Sequence, residues 1–290
     1  MTYFDKQTVF ANINSFFQRT IGVILKIGGN MGRKIVITSG KGGVGKTTLT
    51  ASLGIALAEA GKKTVLIDAD IGLNNLDVVL SIENKVVYDI LDVISGKCRL
   101  KQALIQDVDN PSLYVLPSAK LSDSPLLNAA SFRNVADALA LNFDFVIIDC
   151  PAGIDNGFHR AVSAADEAIV VTTPHISAVR DADKVLSLLS GYNLMSVGIV
   201  VNRVRGDMVS RGEMMSAGDI VRAVRCEPVG VVPEDDYITV YSSAGRVPFD
   251  TVSGRAFKIL ASNVINGTRN IFDCSARPRL SAKIRRFLGV

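Results

Sequence analysis

The residues best suited to hold and transfer a phosphoryl group sit in one short run: Gly40, Lys41, Gly42, Gly43, Val44, Gly45, Lys46, Thr47 and Thr48. Gly40-x-x-x-x-Gly45-Lys46-Thr47 is the Walker A spacing. Glycines let the backbone turn its N–H groups inward on phosphate oxygens. A helix opening just after them adds the positive end of its dipole. Lys46 then places a cation on the β- and γ-phosphates of a nucleotide, and Thr47 offers a hydroxyl to Mg²⁺. A phosphoryl site also needs carboxylates near the metal and the attacking water. Two apolar runs supply them: residues 64–68 lead into Asp68 and Asp70, and residues 145–149 end in Asp149, the Walker B form. A lone strand-end aspartate serves equally well as a turn former. Two of them following a Walker A pattern point to the phosphoryl site, with Asp149 the stronger candidate and Asp68 read as structural.

These residues need strands that end at one rim and helices that begin there. Short apolar runs at 34–39, 64–68, 113–117, 145–149, 168–172, 197–201 and 229–232 read as buried parallel strands. Mixed stretches at 46–60, 131–141, 178–190 and 216–224 read as helices between them, the first closed by Gly61. The fold class is therefore α/β, a doubly wound, mostly parallel sheet flanked by helices, with ligands at the carboxyl ends of the strands. Hydrophobic residues make up 48% of the 290-residue chain and charged residues 21%, enough apolar surface for a sizeable core and too little charge for a disordered chain. No apolar run is long enough to predict a spanning helix. Cys98, Cys150, Cys226 and Cys274 are scattered, which argues against a disulfide framework or zinc site and for a reducing compartment.

The second lysine of the loop, Lys41, is not needed to cradle a phosphate within one subunit. With it, residues 41–48 resemble the deviant Walker A of the MinD/ParA family of P-loop ATPases. Residues 68–77, 86–94, 150–155, 179–183 and 209–214 extend the resemblance to the septum site-determining branch of that family, from about Met31 to the final residue. The resemblance implies ATP and Mg²⁺ as cofactors and ATP hydrolysis as the activity. It implies that Lys41 reaches the nucleotide of a partner subunit, making a homodimer on ATP binding. It places Asp149 at Mg²⁺ through water, Asp70 on the attacking water in a first switch, and residues 149–155 in a second. It puts Asn202 on the base, with Pro233 and Glu234 closing the base pocket. Asn202 suits that role because an amide offers both a donor and an acceptor. The implied partners are a MinC-like division inhibitor and a MinE-like or DivIVA-like positional factor. The helix carrying Ser177, Arg180, Asp181 and Asp183 contributes to partner binding in the family, and a solvated face with charge pairing reads equally well there.

The end of the chain makes a separate argument. On a helix, Leu280, Ile284, Phe287 and Leu288 fall in one arc of roughly 100°, with Lys283, Arg285 and Arg286 outside it. Residues 275–290 also hold Arg277 and Arg279 and no acid, so the excess of a chain with net charge +4 lies here. That composition predicts an amphipathic helix on an anionic membrane, as the family resemblance also implies. The expected division is an N-terminal extension over 1–30, an ATPase domain over 31–262, a tether over 263–279 and a membrane-targeting helix over 280–290. Residues 1–30 read as a start-site extension, a surface helix or a transit segment. The expected location is the inner face of the cell membrane, peripherally from the cytoplasm, or alternatively the plastid stroma and inner envelope. No sequence-specific nucleic acid is expected. Three other readings compete: a flagellar-number regulator of the same family, whose N-terminal activation motif is not evident; a ParA-like DNA-partitioning ATPase using Arg203, Arg205 and Arg211; and an electron-transfer ATPase, whose bridging cysteines Cys98 and Cys150 do not match.

Overall fold

Successive residues of a strand point to opposite faces of its sheet, and the first strand shows it: Ile35 and Ile37 enter one apolar layer, Val36 the other. The computed structural model describes residues 31–72, 75–119, 124–238 and 250–274. The expected leader and the expected C-terminal helix lie outside these residues.

Eight strands form one sheet: β1 (Arg33–Thr38), β2 (Thr64–Asp68), β3 (Ile105–Gln106), β4 (Leu113–Leu116), β5 (Phe145–Asp149), β6 (Glu167–Thr172), β7 (Ser196–Val204) and β8 (Glu227–Pro233). Their order is β3-β4-β2-β5-β1-β6-β7-β8. All pairs are parallel except β3 with β4, a two-residue antiparallel edge too short to show in the sequence pattern. Ten α-helices are described: α1 (Lys46–Glu59), α2 (Asn75–Val79), α3 (Ile90–Ile94), α4 (Leu100–Ala103), α5 (Ala129–Ala140), α6 (Asn156–Ser163), α7 (Ile176–Leu189), α8 (Gly206–Ser210), α9 (Ala217–Val224) and α10 (Val252–Asn266). No described helix is long and apolar enough to cross a membrane.

One apolar layer sits between the sheet and α1 with α10, and contains Leu49, Leu53, Leu57, Phe257 and Leu260. The other lies under α5, α6 and α7, where Phe132, Phe158 and Val185 are fully buried. α1 is apolar nearly all round because α10 covers the side that the sheet leaves open, as a core helix requires. Gly61, at φ +77°, ends it in the left-handed conformation that glycine adopts freely. α5 starts at Ala129, two residues ahead of the expected position, capped by Asn128, whose side chain accepts a hydrogen bond from the Ser131 N–H.

The packed body extends past the boundary expected at residue 262. α10 continues to Asn266, and buried Asn263 donates to the carbonyls of Val229 and Asn270 at 2.9 and 2.7 Å. Residues 263–274 are thus fastened to the domain, and Cys274 packs beside Val204 and Val231. A polar residue breaks the apolar period here, but it satisfies the backbone of β8.

Candidate nucleotide site

β1 lies between β5 and β6, and β5 between β1 and β2. This order brings the loop leaving β1 beside the ends of both aspartate strands. Asp149 pairs in register with Ile37 on one side and Asp68 on the other. The loop then turns into α1 through Gly45, whose φ of +89° suits glycine. Space reinforces the choice: a Cβ on Gly45 would meet the Asn202 Nδ2 at 2.4 Å, and one on Gly40 would meet the Asp181 carbonyl oxygen at 2.4 Å.

Lys46, 8% exposed, directs its ammonium to within 3.5 Å of the Asp149 Oδ1. The same oxygen accepts a hydrogen bond from the Thr50 hydroxyl at 2.9 Å. Asp149 Oδ2 is buried with no hydrogen-bond partner in the protein. Burial pushes the Asp149 carboxyl above the usual carboxylate range, against the opposing pull of Lys46, Thr47 and Thr50. An oxygen left open beside a threonine hydroxyl and a lysine, in a carboxyl that the protein alone stabilises poorly, fits a hydrated divalent cation carrying phosphates. Thr50 is absent from the sequence expectation. It lies four residues after Lys46, on the same side of α1, and that spacing is the signal that marks it.

Asp68 is 1% exposed and accepts from the backbone N–H of Asp70 at 2.9 Å and of Leu76 at 3.1 Å. Burial and then the neighbouring Asp149 push its carboxyl up to about 7. Its structural role holds: it fixes the segment carrying Asp70. Asp70 is half-buried, and its Oδ2 accepts from the Asn75 amide at 3.2 Å.

Asn202 sits at the end of β7, 8% exposed, and its Nδ2 donates to the Val44 carbonyl at 2.8 Å. One donor of the amide therefore holds the phosphate loop, leaving the Oδ1 acceptor and the second N–H for a base. Gly45, Thr48, Asn202, Pro233 and Glu234 line one cavity, together with Phe257. Its wall includes Arg203, held at φ +58° where β7 bulges. The cavity opens beside the phosphate loop, so the phosphate and base candidates form one continuous cleft.

Lys41 stands apart. It is exposed, and its ammonium lies 3.3 Å from the Ser177 hydroxyl in the first turn of α7. The same helix touches the loop at Gly40 through Asp181, whose carboxylate pairs with Lys184 at 3.2 Å. The helix proposed from sequence for partner contact thus packs on the phosphate loop itself. Cys150 follows Asp149, and burial pushes its thiol up to about 12, so it stays an unreactive thiol.

Comparison with known proteins places the cleft in a family. Residues 32–193 match the AAA domain family. The septum site-determining protein MinD of Bacillus subtilis is 43% identical over 90% of this chain and 99% of its own length. Among solved structures, the MinC:MinD cell division protein complex of Aquifex aeolicus matches with a TM-score of 0.75 and 40% identity, over 81% of this chain and 96% of the other. MinD from Pyrococcus horikoshii, complexed with Mg-ADP, gives 0.72 and 31% over 81% and 97%.

Proposed function

The chain belongs to the MinD family of septum site-determining ATPases, and on that premise we propose how its residues run an ATP-controlled switch. It is an ATP hydrolase that takes its nucleotide with Mg²⁺ and helps to place the division septum together with MinC. In our reading Lys46 and the inward N–H groups of residues 42–48 bind the phosphates. Thr47 and Asp149 would hold the metal. Bound Mg²⁺ supplies charge neutralisation on the β- and γ-phosphates. Asp70 orients the attacking water, and Asn202 and Pro233 hold the base.

Lys41 carries the proposal that ATP joins two subunits. Its ammonium leans on Ser177 at the exposed rim instead of turning toward its own loop, where a second copy's nucleotide can meet it. Hydrolysis then removes the charge that holds the two copies together. Light scattering on size-exclusion eluate tests this directly. ATP is expected to double the mass of a hydrolysis-blocked Asp70→Ala chain, and Lys41→Ala within that chain to keep it monomeric. A dimer that survives Lys41→Ala refutes the role.

The membrane reading follows from sequence and the dimer. Each large apolar side chain buried in the bilayer interface contributes about 1.5–3 kcal/mol, and each basic residue near an anionic surface about 1 kcal/mol. Ordering a short helix that is marginal in water opposes them. One copy of residues 280–290 binds weakly, whereas two on one dimer bind well because the second insertion is intramolecular. A MinC-like inhibitor is read as docking on α7, near Ser177, Arg180, Asp181 and Asp183, where contact with the phosphate loop lets nucleotide state govern the surface. A MinE-like or DivIVA-like factor completes the positioning system.

A further inference from the structure

On the face of the sheet opposite the base cavity, α8 and α9 leave a groove unfilled. Its deeper part, about 310 Å³, is floored by Val204, Val209 and Val231 and walled by Ile271, Phe272 and Cys274. A shallower trough of about 370 Å³ shares Val209 and Ser216 with it and adds Met214 and Met215. The deeper part is largely apolar, and Ile271 on its wall is 43% exposed. Flexible methionines suit a surface that must receive another apolar element.

The place where the described chain stops identifies the occupant. Cys274 is itself part of the groove wall, fastened among Val204, Val231 and Met215. Residues 275–290 follow directly, and Leu280 comes six residues later, within about 20 Å of chain reach. Leu280, Ile284, Phe287 and Leu288 have the spacing with which an amphipathic helix lays one face into a groove. The trough carries Glu213 and Asp219, each half exposed and held by Arg211 or Arg222. Ion pairs this exposed are weak, and Lys283, Arg285 and Arg286 of the tail can exchange into them.

We propose that the groove between α8, α9 and residues 271–274 docks the C-terminal segment 280–290 of the same subunit, hiding its apolar face when no membrane is present. This rests on the amphipathic reading of that segment. It adds a competition to the avidity argument: a segment tethered at Cys274 meets the groove at millimolar effective concentration, so a single tail reaches the membrane only by leaving its dock. The strand ends link the two faces. Asn202 holds the phosphate loop on one side, and Val204, two residues on, floors the groove on the other while its carbonyl accepts from the Glu234 N–H at 3.1 Å.

Hydrogen exchange on the full chain with ADP and without lipid, compared with a chain lacking residues 280–290, tests the dock. Exchange across residues 206–217 is expected to be about tenfold slower in the full chain, as millimolar tethering gives for an intrinsic affinity near 100 µM. The difference is expected not to vary with protein concentration. Met215→Glu, which does not line the nucleotide cleft, is expected to abolish the difference and to raise co-sedimentation of the ADP form with phosphatidylglycerol vesicles several-fold, leaving ATP turnover in solution unchanged. Equal exchange in both chains overturns the proposal, as does protection that grows with protein concentration, which assigns the groove to a second copy. Protection without vesicle binding by any form upholds the dock and removes the membrane reading instead.

Discussion

Replacing Asp68 by asparagine should make the nucleotide-free protein more stable at pH 8 and leave it unimproved at pH 5. In the folded chain the Asp68 carboxyl is pushed from 3.8 up to about 7, first by burial and then by Asp149 alongside. A folded-state pKa raised above the unfolded value means that the folded state binds the proton more tightly. Stability is therefore greatest below about pH 4 as far as this group is concerned, and falls as pH rises toward 7. A gap of about three pH units at 1.36 kcal/mol each amounts to about 4 kcal/mol of destabilisation above pH 7. Asparagine removes that charge but accepts only one of the two backbone hydrogen bonds, from Asp70 or Leu76, and the lost bond costs about 1–3 kcal/mol. The net gain at pH 8 is about 2 kcal/mol, or roughly 4–8 °C in Tm at 2–4 °C per kcal/mol for a domain of this size. Thermal unfolding of parent and Asp68→Asn at pH 5, 6, 7 and 8 without nucleotide measures it. Mg²⁺ with ADP should flatten the parent's profile, because a divalent cation beside Asp149 offsets the crowding of two buried carboxylates. Parallel profiles for the two proteins, or a variant less stable at pH 8, refute the reasoning.

Further outcomes follow from the same geometry. Gly45→Ala forces a Cβ into a left-handed residue and against the Asn202 amide at 2.4 Å; about 1–2 kcal/mol of backbone strain plus about 1 kcal/mol for the displaced bond to Val44 should weaken binding of a fluorescent ADP analogue at least tenfold. Asp70→Ala should lower ATP turnover by about a hundredfold or more, the scale of a lost proton-handling or water-orienting group, while nucleotide affinity by titration calorimetry stays within threefold. Chelating Mg²⁺ with EDTA should reduce turnover to background in a phosphate-release assay, with ADP still bound through Lys46 and the loop.

The chemistry was legible in the sequence where it is local. The phosphate loop and the two aspartate strands each complete their signal within ten residues, and parallel strands buried on both faces read as plain apolar runs. What escaped depends on distant partners. Asn202 and Val44 are joined across 158 positions, and no spacing rule reports that one amide N–H is already committed to the loop. α10 was missed because its buried face includes Ser253, Gly254 and Asn263, polar or small residues that pack on β8 and α1 and blur the helical period. The contact between α7 and the loop rests on backbone approach at Gly40, which glycine permits but does not announce. Thr50 and Asp68 show the remaining gap: sequence supplies their types, but only the fold reveals that Thr50 donates to the buried Asp149 carboxylate and that Asp68 lies beside it in register.

Co-sedimentation with anionic liposomes in the presence of ATP, of ADP, and of ATP with residues 280–290 removed is the most direct test of an ATP-made dimer that holds the membrane by paired tails. Pelleting with ATP alone, lost with ADP and lost again without the tail, is the predicted result. Equal pelleting with ADP and ATP would contradict it, because the membrane affinity would then be independent of the switch.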